Sequence, residues 1–159
     1  MGRGGDRLIK GREPMRKLLL AALLSSLASP IAAAPLCDDL GFAGLLAKCN
    51  RGETIKLTLA SGQPLGEDVA LQSGAYYKLE ITADGSAELA VEGAGFFRAI
   101  WMNEIVINKI EIRPMAIDSI EFDKAGVVEL SFIAIKPGTH VLRIPGSTGE
   151  SQQVKFSIQ

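Results

Sequence analysis

The sequence predicts an all-β protein: an antiparallel β-sandwich preceded by a short, cysteine-bounded helical segment. Three observations carry this expectation. Beyond Thr54 apolar residues recur with period two in short runs. Turn signals interrupt those runs at regular spacing. No amphipathic helical period exists beyond the stretch between Cys37 and Cys49.

The runs are legible one by one. Ile55, Leu57 and Leu59 alternate with Lys56 and Thr58. Tyr77-Lys78-Leu79-Glu80-Ile81 alternates up to the turn pair Asp84-Gly85. Ala87-Glu88-Leu89-Ala90-Val91 runs to Gly93-Ala94-Gly95. Residues 96–113 read as one longer β-rich stretch, in which Ile105 and Ile107 share one parity and Ile110 and Ile112 the other. That phase flip near Asn108-Lys109 predicts a bulge or a tight corner. Ile120 and Phe122 follow, then Val128, Leu130 and Phe132 with Glu129 and Ser131 outward. Lys136-Pro137-Gly138 is a turn, His140, Leu142 and Ile144 share a face, and Val154, Phe156 and Ile158 make a final strand. Three regions result: an N-terminal extension and signal over 1–33, a Cys-bounded segment over 34–53 and the sandwich over 54–159.

A chain of 159 residues is the size of one domain. From Met15 it carries the layout of a secretory signal: Met15-Arg16-Lys17, an apolar run over 18–27 too short to span a bilayer, and small residues through Ala33 and Ala34. Cleavage after Ala33 is preferred, and Met15 is an alternative start. Leu36 stands where a lipoprotein signal needs a small residue before Cys37. A periplasmic or secreted location follows, and no second apolar stretch reaches 18 residues. Without its first 33 residues the chain holds 11 basic and 16 acidic side chains. That balance argues against nucleic-acid binding, which needs Lys and Arg to displace counterions.

Export puts Cys37 and Cys49 in an oxidising compartment, so a disulfide is expected. Continuous helix between them would hold them about 18 Å apart, whereas a disulfide allows roughly 4.4–6.8 Å between Cα atoms. The chain must therefore turn back at Gly41, at Gly44 or after Lys48.

The C-terminal half carries a resemblance. Ile112-Arg113-Pro114, then Ile120-Glu121-Phe122-Asp123, then Val128-Glu129-Leu130-Ser131-Phe132 and the corner Lys136-Pro137-Gly138-Thr139-His140 resemble the second half of a cupredoxin. The likeness covers 104–159 and, more loosely, 67–92. It implies a Greek-key, cupredoxin-like sandwich. It does not imply the family's type 1 copper, which needs two His and a Cys. No Cys stands near Ile144, no His lies within 145–151, Asn108 stands where the upstream His belongs, and His140 takes the corner Tyr position.

Candidate sites are few. Gly93-Ala94-Gly95 lacks the third glycine and the helix of a phosphate loop. Phe96-Phe97-Arg98-Ala99-Ile100-Trp101-Met102 is rich in aromatics, and strand alternation sets Phe97, Ala99 and Trp101 on one side. Phe97 and Trp101 are the candidate partner-binding residues. Glu104, Asp118, Glu121 and Asp123, with Glu111 nearby, are candidate carboxylate ligands for a hard cation such as calcium or a lanthanide. Met102, Met115 and His140 are an alternative set for copper. The expected function is a non-catalytic accessory module that docks another periplasmic protein. A metal carrier is the alternative, and a small hydrolase is remote because His140 is the single histidine and no cleft signature accompanies it.

Overall fold

The computed structural model describes residues 35–159, so the expected signal over 1–33 and the cleavage site lie outside the described residues. Ten strands form two five-stranded sheets among the described residues. In chain order they are β1 (Ile55–Leu59), β2 (Val69–Leu71), β3 (Tyr76–Ala83), β4 (Leu89–Glu92), β5 (Ile100–Ile107), β6 (Ile110–Ile112), β7 (Ser119–Phe122), β8 (Gly126–Ala134), β9 (Gly138–Arg143) and β10 (Gln153–Ile158). One sheet has the order β1-β3-β8-β5-β6 and the other β2-β10-β9-β4-β7, so the chain repeatedly crosses between layers. The expected β-sandwich is present. Most pairings are antiparallel, but β1 runs parallel to β3 and β2 parallel to β10. Both parallel strands are edge strands near the start of the fold, reached by crossovers rather than hairpins. Among the described residues no helix is long and apolar enough to cross a membrane.

Alternation places the core. β1 buries Ile55, Leu57 and Leu59 and exposes Lys56 and Thr58. Leu79 and Ile81 of β3, Leu130 and Phe132 of β8, Leu142 of β9 and Phe156 of β10 meet between the sheets with almost no exposure. Phe96 sits at the centre, with ring centroids 4.3 Å from Phe156 and 5.6 Å from both Phe132 and Phe97.

Phe96 enters the core from a helix, which corrects the strand expected over this stretch. Ala94–Phe97 form a short helix, α1, with Phe97 N–H donating to Gly93 O and Arg98 N–H to Ala94 O. Neighbouring residues on a helical turn point about 100° apart, so Phe96 and Phe97 are both buried, where a strand would send them to opposite faces. Strand geometry starts only at Ile100.

The phase flip is a tight corner. Asn108 and Lys109 have φ of 49° and 67°, the left-handed pair of a two-residue hairpin turn. Ile105 pairs with Ile112 and Ile107 with Ile110, so the two parities seen in sequence fold onto one face. A separate irregularity lies between Met102 and Glu104 on β5, where Asn103 is the extra residue. Its side-chain amide donates to Ser131 Oγ at 3.2 Å and Tyr76 Oη at 3.4 Å.

The N-terminal segment turns back as the cysteine spacing demands. Residues Gly41–Leu46 and Lys48–Asn50 form short 3-10 turns. Gly41 and Gly44 have φ of 53° and 56°, a conformation glycine adopts without steric cost. Cys37 and Cys49 form the expected disulfide, with Cα atoms 5.9 Å apart.

Candidate functional site

Four of the residues singled out from sequence, Phe97, Trp101, Met102 and Met115, come together in a groove lined by apolar side chains at one end of β5. Phe97, Trp101 and Met102 line it from one side, and Met115 and Ile117 of the β6–β7 connection line it from the other. Its volume is about 230 Å³. Phe97 is 7% exposed, a consequence of the α1 turn, while Trp101 keeps 48% of its surface and Met115 all of it. The groove therefore has a fixed aromatic floor and an exposed, polarisable rim. Met115 and Ile117 share no strand with Trp101 and reach it only through the crossover after β6, which period-two reading does not place.

The carboxylates are redistributed. Glu121 and Asp123 share a face, as their two-residue spacing predicts. Their neighbour is Glu88, and the three offer oxygens within 4.8 Å of one another, all exposed. Glu88 arrives there because Leu89 pairs with Phe122, so the residue before β4 lies opposite the one after β7. Hydrogen bonding with Glu121, then the charges of Glu121 and Asp123, raise its pKa above the usual glutamate value. The four-residue set expected from sequence is not assembled. Glu104 lies on β5 of the other sheet and is bound by Arg113, which also contacts Glu111 at 2.9 Å. Asp118 faces Arg98 at 3.8 Å. The hydrogen bond from Arg113 to Glu104, then the charges of Glu104 and Glu111, raise the Arg113 pKa.

His140 does not join Met102 and Met115. Its Nε2 lies 3.0 Å from the carbonyl of Lys136. It lines a different, polar groove of about 650 Å³ with Glu92, Asp118, Ser119, Thr139 and Arg143, where Arg143 Nε donates to Glu92 at 3.2 Å. A type 1 copper centre does not fit this donor set. Both cysteines are in the disulfide, Asn108 occupies the hairpin turn, and a single imidazole remains.

The sequence matches no family model and no curated protein. Solved structures do match in shape. A multi-copper oxidase from Pseudomonas thermotolerans is 14% identical, covering 82% of this chain and 33% of its own, with a TM-score of 0.49. The blue copper oxidase of Nitrosomonas europaea is 10% identical over 58% of this chain and 30% of its own, at 0.45. Lac15 from a marine microbial metagenome is 16% identical over 65% and 26%, at 0.44. The chain thus spans between 26% and 33% of the length of these proteins.

Proposed function

We propose that this chain is an exported, non-catalytic binding module whose cupredoxin-like sandwich docks another periplasmic protein through the groove under Trp101. The observation that carries the reading is the pairing of a half-exposed Trp101 with a fully exposed Met115 around the buried Phe97. Aromatic and methionine side chains are enriched in the centres of protein interfaces, and leaving both in water is unfavourable. The missing copper ligands support a fold reused for recognition rather than for electron transfer.

Cross-linking tests the reading directly. A photoreactive aromatic amino acid replacing Trp101, expressed in the native periplasm, should give one reproducible adduct with a different exported protein. Met115→Asp should abolish that adduct while the fold persists by circular dichroism. No adduct, or one indifferent to Met115→Asp, overturns it.

A second reading has its own observation, the Glu88–Glu121–Asp123 cluster, whose three carboxylates suit a hard cation such as calcium or a lanthanide. A carrier should retain stoichiometric metal after dialysis and lose it in Glu121→Gln/Asp123→Asn. Trp101, the single tryptophan, offers a fluorescence report on any such titration.

A further inference from the structure

We propose that the open edge of β6 is where a second copy of this chain docks. The two β6 strands pair antiparallel about a twofold axis at Ile112, joining their sheets into one. This surface adjoins the Trp101 groove, with which it shares Pro114, but the inference does not rest on the docking function proposed for that groove.

β6 ends its sheet, with β5 on one side and no strand on the other among the described residues. The opposite edge of that sheet is engaged at one point, where the Thr58 N–H of β1 donates to Leu65 O at 2.8 Å. At β6 all three residues are exposed. Ile110 keeps 65% of its surface and Ile112 43%, although their pairing with Ile107 and Ile105 turns both toward the inner face of the sheet. An uncovered edge bearing apolar side chains is a template for pairing with another strand.

Backbone parity fixes which groups that strand would meet. The two-residue turn at Asn108-Lys109 makes Ile107 and Ile110 a hydrogen-bonded pair, and Ile105 with Ile112 the next. Glu111 and Arg113 therefore direct their N–H and C=O groups away from β5, toward the open edge.

Charge then selects the register and the occupant. An axis at Glu111 would set Glu111 against itself and Lys109 against Arg113 of the second copy, so like charges would oppose. An axis at Ile112 sets Glu111 against Arg113 of the second copy twice over, and Ile112 against its mate. In this register the Glu111–Arg113 positions are also the hydrogen-bonding ones. Pro114, which has no N–H, falls where its nitrogen would face back toward β5 rather than the second copy. The edge is complementary to itself, so a second copy is the occupant.

Sedimentation velocity of the purified protein over a wide concentration range should show a monomer–dimer equilibrium. Glu111→Arg and Arg113→Glu should each weaken it about tenfold, because each converts two attractive contacts into repulsive ones. The double variant Glu111→Arg/Arg113→Glu should restore association, with circular dichroism confirming that each variant is folded. Ile112→Cys should form an intermolecular disulfide on mild oxidation, and adding Arg113→Glu should suppress it. A monomer at every concentration overturns the proposal. So does association indifferent to either single reversal, a double variant no better than the singles, or an Ile112→Cys protein that does not cross-link.

Discussion

The side-chain amide of Asn50 donates to the carbonyl of Gly74 at 2.8 Å, tying the disulfide-bounded segment to the turn before β3. The same amide donates to Leu45 O at 2.9 Å, and its oxygen accepts from the Leu36 N–H at 2.8 Å. Asn50 has no exposed surface, and no buried side-chain polar atom among the described residues lacks a partner. One side chain therefore satisfies three backbone groups from three parts of the chain.

Asn50→Ala should consequently cost about 2–3 kcal/mol, the penalty for stranding part-buried donors and acceptors. Asn50→Asp should be at least as harmful at neutral pH, because it sets a carboxylate against two carbonyl oxygens. Urea unfolding with unchanged m-values checks both.

Reducing Cys37–Cys49 should lower stability by about 3 kcal/mol, from the chain entropy returned to the unfolded state. The sandwich should remain folded, since its sheet pairings begin at Ile55. Denaturant curves with and without reductant measure the loss, and thiol titration of the unreduced, denatured protein should find no free thiol. Reduction combined with Asn50→Ala should cost less than the sum, because both act on one segment.

Phe96→Ala should cost about 3–5 kcal/mol, since it empties the space between Phe97, Phe132 and Phe156. Phe96→Leu should cost less than half of that. Trp101→Ala, on the exposed rim, should change stability little, which separates core from docking surface in one thermal-melt series.

The acidic cluster should leave a pH signature. The pKa of Glu88 is raised in the folded state, so folded protein holds its proton to higher pH than unfolded protein does. Its contribution is favourable at low pH and is lost as pH rises through the folded pKa. Glu88→Gln should therefore raise the melting temperature at pH 7. The gain should vanish below about pH 4, where ordinary glutamates also become protonated. At pH 7 it should shrink in 1 M salt, whose Debye length is about 3 Å. Asp84 and Glu150 work the other way. Hydrogen bonds to Ser86 lower the first pKa and those to Lys155 the second, and their stabilisation is lost as pH falls.

Much of the sandwich is legible in the residues alone, because β1, β10 and β3 beyond Tyr76 alternate between buried and more exposed side chains, whereas β8 is buried on both faces from Leu130 onward. The Phe96–Phe97 turn is not, since a four-residue helix after Gly93 has the same apolar composition as a buried strand. The carboxylates divide in the same way. Glu121 with Asp123 is a local relation, but Glu88 depends on which strand lies beside β7, and Glu104 on a guanidinium nine residues away. Phe97 and Trp101 both line one groove, although the alternation that linked them in sequence does not hold across α1.

The parallel pairing of β2 with β10 sets the order in which this molecule can assemble. Val69 meets Phe156, and Asp68 Oδ1 accepts from the Lys155 N–H across 87 positions of chain. Leu65, fully buried, likewise donates its N–H to Ser151 O. These contacts have high contact order, and closing so long a loop slows folding. A nascent chain cannot complete the second sheet until β10 has been synthesised, so β2 stays unpaired for most of translation. If the chain is exported unfolded, as proposed above, that delay works as a timer. A circular permutant joining β10 directly to the start of the fold should refold faster and be a poorer substrate for export.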